Sequence, residues 1–138
     1  MLTTRHVTLI VAFCVGASAS QAQTLTTLTN FTGPNGTAPS GTLVQATDGN
    51  FYGTTICGGA YAGPTLNCGI GFGTVFRITP TGALTTIYSF CTQPNCSDGA
   101  YPYYAGLVIG RDGKFYGITE GVEPTTAVQS SRLHELAR

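Results

Sequence analysis

Apolar and polar residues alternate with a period of two through much of residues 25–119. That spacing places successive side chains on opposite faces of a strand. Leu25–Phe31 alternates Thr with Leu and predicts a first strand. Gly33-Pro34-Asn35-Gly36 predicts a turn, and Gly41–Ala46 a second strand. Asp48-Gly49 then predicts a two-residue type I′ hairpin, which needs positive φ at both central positions. Asn50–Thr55 returns, followed by a long glycine-rich loop, Ile56–Phe72. Gly73–Ile78 predicts the next strand, Thr79-Pro80-Thr81-Gly82 a turn, and Ala83–Phe90 the strand after it. Strict alternation there puts Leu84, Thr86 and Tyr88 on one face and Thr85, Ile87 and Ser89 on the other. Gly106–Gly110 predicts a later, shorter strand.

The pattern occurs twice. Asp48-Gly49-Asn50-Phe51-Tyr52-Gly53-Thr54-Thr55 returns 64 residues on as Asp112-Gly113-Lys114-Phe115-Tyr116-Gly117-Ile118-Thr119. Pro39 and Pro102 are 63 apart, and Phe31 and Phe90 are 59 apart. The slip falls in the loop Cys91–Cys96, where an insertion costs little. A period near 60 with about four strands per unit marks a radial β-repeat. The expected fold is all-β, an antiparallel β-repeat with propeller-like blades. About one and a half repeats are present, an incomplete propeller. Copy one spans about 25–86 and a partial copy two about 87–119 within a repeat region of 23–119. Such a module leaves an open sheet edge, which invites self-association.

Both ends depart from the repeat. Residues 1–22 read as a secretory signal peptide: Arg5 and His6, an apolar run Val7–Val15, then Ser20-Gln21-Ala22 before cleavage. The run is shorter than the ~20 residues of a membrane span. The expected location is therefore secreted, extracellular or periplasmic, with no membrane span after cleavage. Residues 120–138 carry five charges, against six in all of 23–119. That shift predicts a non-repeat tail, disordered or forming a short helix over Ser131–Arg138. It also suggests a truncated or frame-shifted reading frame.

Composition narrows the function. Charged residues are 9% of the chain and the formal net charge is zero, where an ordinary soluble domain carries roughly 25% charged residues. No Lys/Arg cluster exists, so nucleic acid is not an expected partner. After the signal the only histidine is His134, which leaves no Ser-His-Asp or Cys-His pair within the repeats. Asp48 and Asp112 sit in equivalent turns, where Asp is favoured for local backbone bonding. No enzyme activity and no cofactor are expected. Gly69-Ile70-Gly71-Phe72-Gly73 leads into a strand, not the helix a dinucleotide loop needs.

An exported chain keeps Cys57, Cys68, Cys91 and Cys96, an even number in an oxidising compartment. Three pairings are possible; proximity favours Cys57–Cys68 and Cys91–Cys96 as loop staples. Their spacings fit a zinc site poorly. Tyr61, Tyr101, Tyr103 and Tyr104 fall in loops, with Asp98 nearby. Aromatic faces beside a carboxylate suit a sugar or a protein partner, so a surface glycan or protein is the partner class to look for. Asp48, Gly49, Phe51, Tyr52, Gly53 and Thr55, with Asp112, Gly113, Phe115, Tyr116, Gly117 and Thr119, read as structural. One of each Phe-Tyr pair should face the core.

Asp48–Thr55, Gly58-Gly59 and Gly73-Thr74-Val75-Phe76-Arg77-Ile78-Thr79-Pro80-Thr81-Gly82 together resemble the tandem repeat named from Gloeobacter and Verrucomicrobia, and Asp112–Thr119 matches its first half again. The resemblance covers Leu25–Thr119. It implies a secreted or surface-anchored bacterial protein of propeller-like repeats with no assigned activity, a scaffold or cell-surface interaction module.

Overall fold

The computed structural model describes residues 23–61, 63, 65–66, 69–103, 106–120 and 131–136. The expected signal at 1–22, Cys68 and Tyr104 lie outside them.

Four antiparallel strands form the first sheet: β1 (Thr37–Gln45), β2 (Phe51–Cys57), β5 (Thr74–Ile78) and β6 (Leu84–Ser89), in spatial order β1-β2-β5-β6. A two-residue hairpin, β3 (Thr65–Leu66) with β4 (Gly69–Ile70), interrupts the loop between β2 and β5. The second sheet holds β7 (Val108–Ile109), β8 (Phe115–Glu120) and β9 (Ser131–Leu136), again antiparallel. A 3-10 turn, Pro94–Cys96, lies between the sheets in sequence. The protein is all-β, and no closed propeller is present among the described residues.

Four expectations change. Leu25–Phe31 forms no strand. Instead it crosses the sheet, with the Phe31 ring edge-on to Phe76 at 4.9 Å. Thr/Leu alternation reports an extended chain, and ladder membership also needs a neighbouring backbone edge. The Asp48-Gly49 hairpin is not type I′. Only Gly49 has positive φ, at 80°. The Gly49 amide donates to the Ala46 carbonyl, and the Ala46 amide to that of Asn50. This is a type I turn closed by a left-handed glycine bulge. Gly82 (φ 92°) and Gly113 (φ 79°) close the other two long hairpins in the same way.

The third change is in β6. Val75 pairs with Tyr88 but Phe76 pairs with Thr86, so Ile87 is the extra residue of a bulge. Thr86 and Tyr88 therefore face opposite sides of the sheet. The fourth is the tail. Residues 131–136 form a strand, not a helix or a disordered segment. A short isolated helix is unstable in water, whereas the open edge of β8 offers a full row of backbone partners. The tail takes the place that β5 holds in copy one. β8 sets Phe115, Gly117 and Thr119 opposite Leu136, His134 and Arg132. β2 sets Phe51, Gly53 and Thr55 opposite Ile78, Phe76 and Thr74 in the same stagger.

The core lies between the two sheets. Ala46, Tyr52, Val75 and Phe90 meet Leu107 and Phe115, with Val44, Phe72, Tyr88 and Ile109 packed around them. Tyr52 and Phe115 lie ring to ring, with centroids 4.4 Å apart. Copy one thus buries its Tyr and copy two its Phe, because each copy turns the opposite face of the same motif toward the seam. Gly53 makes room on the far face. A Cβ there would come within 2.7 Å of Phe76 and 2.8 Å of Leu43.

Leu43 and Leu107 are equivalent positions with unequal surroundings: Leu107 is 4% exposed and Leu43 is 50% exposed. Leu107→Ala should cost about 2–5 kcal/mol, the range for a buried leucine. Leu43→Ala should cost about 1 kcal/mol or less. Urea unfolding of both variants in dilute solution checks the contrast, and equal losses would place the core elsewhere.

Candidate functional site

The repeated aspartates organise their own hairpins. Asp48 Oδ1 accepts the Asn50 amide at 3.1 Å, and its Oδ2 accepts the Tyr52 hydroxyl at 2.7 Å. In copy two, Asp112 accepts the Lys114 amide at 3.1 Å and the Tyr116 hydroxyl at 2.7 Å. One carboxylate thus fixes the turn and clamps the ring four residues on. The Tyr116 bond, then the Lys114 amide, hold the Asp112 carboxyl below the usual carboxylate range.

A buried threonine pair performs the same kind of work within the sheet. Thr55 Oγ1 lies 2.8 Å from Thr74 Oγ1. It donates to the Cys57 carbonyl at 3.0 Å and accepts the Thr74 amide at 3.1 Å. A hydroxyl satisfies both a donor and an acceptor where neither reaches water. Every polar residue of the Tyr-Gly-Thr-Thr stretch thus has a structural bond, Thr54 to the carbonyl of Ser40, its partner on β1, at 3.2 Å.

Asp98 builds a third clamp. Its carboxylate accepts from the Tyr88 hydroxyl (2.6 Å), the Thr92 hydroxyl and amide (2.7 Å each) and the Gln93 amide (3.1 Å). This closes the loop whose base is the Cys91–Cys96 disulfide. Burial alone would raise the Asp98 carboxyl; the Tyr88 bond, then those from Thr92 and Gln93, outweigh it and hold the pKa at about 2. Tyr88 moves the other way, raised by burial and by its bond to Asp98. Cys57 is also disulfide-bonded and fully buried.

One loop tyrosine approaches this clamp: Tyr61 acts electrostatically on Tyr88, the partner of Asp98, and the amide of its neighbour Ala60 donates to the Ser89 hydroxyl at 3.2 Å. Tyr101 lies beside Phe72 and Tyr103, with centroids 5.5 and 6.1 Å away. Its amide donates to the Phe72 carbonyl at 2.8 Å. Burial, then Tyr103, raises its pKa. Tyr61 is half-exposed at the rim of a groove of about 390 Å³ with Gly33, Pro34, Ala60 and Ile70. Asp98 is occupied with its own loop. Tyr88 and Thr92, its partners, escaped sequence reading; their only signal is a Tyr ten residues before an Asp across a cysteine loop. The Asp48–Tyr52 and Asp112–Tyr116 clamps were detectable as a repeated spacing of four.

Among the described residues, no group of three or more His, Cys, Asp or Glu side chains could hold a metal ion. No helix there is long and apolar enough to cross a membrane. A family model, the Gloeobacter/Verrucomicrobia repeat, matches residues 15–128. No curated protein and no solved structure matches the chain.

The folded-state pKa of Asp98 lies below its ordinary value of 3.8. Its contribution to stability is therefore complete above about pH 4 and fades as the pH falls toward 2. Asp98→Asn should lower the urea midpoint at neutral pH and flatten its decline across that window. Parallel pH profiles for the two proteins would remove Asp98 from the account.

Proposed function

The chain belongs to the Gloeobacter/Verrucomicrobia repeat family, and on that premise we propose a secreted, non-enzymatic β-repeat module. Its two sheets act as propeller-like blades, and its role is that of a scaffold or cell-surface interaction protein. One observation carries the reading: the polar residues of the repeat are spent on holding the repeat together. Asp48 and Asp112 clamp their own turns and tyrosines, and Thr55 and Thr74 satisfy each other and the backbone between β2 and β5.

A second reading is a carbohydrate-binding module. The neighbouring Tyr101 and Tyr103 rings, tilted by 35°, favour it as an aromatic platform.

Expression with the native leader, followed by N-terminal sequencing of the exported chain, should give a protein beginning at Gln23. That product should show no turnover on glycosidase, esterase and peptidase substrates. Turnover that disappears in Asp48→Asn or Asp112→Asn would sink the non-enzymatic reading. On a glycan array, a signal lost in Tyr103→Ala would favour the carbohydrate module over the scaffold.

A further inference from the structure

The seam between the two copies is built from two unlike surfaces. The first sheet contributes the face carrying Val44, Tyr52 and Val75, with Tyr88 of its last strand. Copy two contributes the face carrying Leu107, Ile109 and Phe115. By the register of the repeat, each copy owns both faces. Residues Leu43, Phe51 and Gly53 of copy one are the equivalents of Leu107, Phe115 and Gly117. Residues Val108 and Tyr116 of copy two are the equivalents of Val44 and Tyr52. The seam therefore uses one face of each copy; on the complementary face of copy one, Phe31 packs on the buried Phe76 and Leu43 stays half-exposed, while that of copy two is turned outward.

The exposures follow this logic. On the receiving face, Leu107 is 4% exposed in the seam while Leu43 is 50% exposed outside it. On the inserting face, Val44 packs against the core while Val108 is 60% exposed. Ile118 adds to that outward face at 47%, where copy one has the buried Thr54. The outer receiving face is also concave. A groove of about 230 Å³ opens there, lined by Phe31, Pro39, Leu43, Phe76 and Ile78. Equivalent leucines pack over equivalent glycines in both places: Leu43 Cδ2 lies 2.8 Å from a Cβ built on Gly53, and Leu107 Cδ2 lies 3.0 Å from one built on Gly117. The receiving surface is thus already formed before anything docks.

We propose that a second copy of this chain docks there, head to tail, with its Val108–Tyr116–Ile118 face on the groove of the first that Phe31, Pro39 and Leu43 line. The contact continues the seam inside each chain and reproduces its pairing of faces. Faces meet, not strand edges. Each docked chain presents the same outward pair again, so the arrangement is heterologous. It closes into a ring if the rotation allows and otherwise extends. The inference rests on the packing of one repeat upon the next and holds for a scaffold or for a sugar-binding module alike.

Sedimentation velocity on the disulfide-bonded chain over a wide concentration series tests it. The wild type should grow past dimer with concentration. Leu43→Glu destroys the receiving face and Val108→Glu the inserting face. Both sites are exposed, so each variant should unfold in urea near the wild-type midpoint in dilute solution. Each alone should remain monomeric at the concentrations where the wild type first assembles, its association weakened about tenfold or more, as expected of a charge buried without a partner. Mixed together, they keep one good face of each kind and should form a 1:1 dimer that goes no further. A wild type that stays monomeric throughout overturns the proposal. So does assembly of either variant alone, which would mark edge pairing or a symmetric contact, and so does a mixture that stays monomeric. Should a Glu variant fail to fold, Leu43→Ser or Val108→Ser takes its place with the same expected outcomes.

Discussion

The contact between Tyr52 and Phe115, with ring centroids 4.4 Å apart, is the point on which the two sheets converge. A single four-stranded antiparallel sheet cannot bury apolar side chains on both faces. It needs a second layer, and here that layer is the next copy of the same motif. Tyr52 can serve in an apolar seam because its hydroxyl reaches out to Asp48. The ring supplies buried area and the carboxylate takes the polar end. This couples turn formation to core formation: the aspartate that sets the hairpin also holds the ring that the neighbouring copy packs against.

The same device appears three times with different chain geometry. Asp48 and Asp112 reach a tyrosine four residues on, along their own hairpins. Asp98 reaches back ten residues to Tyr88 across the Cys91–Cys96 loop. In each, a carboxylate accepts backbone amides and one phenol. Three turns of this chain are thus held by charge-assisted bonds, while the Thr79–Gly82 turn uses the neutral Thr79 hydroxyl in the same place. The tail shows the complementary rule. Residues 131–136 have no repeat signature, yet they pair with β8 in the stagger of β5. An exposed strand edge recruits what backbone is near it, with little regard for local propensity.

Much of this was legible because turn chemistry is local. Gly49, Gly82 and Gly113 announce hairpins whatever surrounds them, and the recurrence of Asp-Gly-x-Phe-Tyr-Gly at a fixed interval announces a repeat. The errors have a common origin. The turn type at Asp48-Gly49, the bulge at Ile87 and the fate of Leu25–Phe31 each depend on a partner strand or a partner carboxylate that is remote or ambiguous in sequence. Likewise the tyrosine-rich loops suggested a single platform. Instead Tyr101 and Tyr103 pack with Phe72, while Tyr61 lies near Tyr88 of the Asp98 clamp, neighbours that no local spacing announces.

By itself, the sequence determined that this protein is an all-β repeat, where its hairpins turn, and that its prominent residues serve the repeat. Those features depend on period-two alternation and on short-range bonds between residues a few positions apart. Which side of the motif faces the core was decided only by tertiary structure. Phe51 and Tyr52 alternate across the pleat in the same way as Phe115 and Tyr116, so nothing local distinguishes them. The choice falls to the neighbour: copy one has its partner on the tyrosine side and copy two on the phenylalanine side. Burial is a property of what lies opposite a side chain, and identical neighbours in sequence can have different neighbours in space.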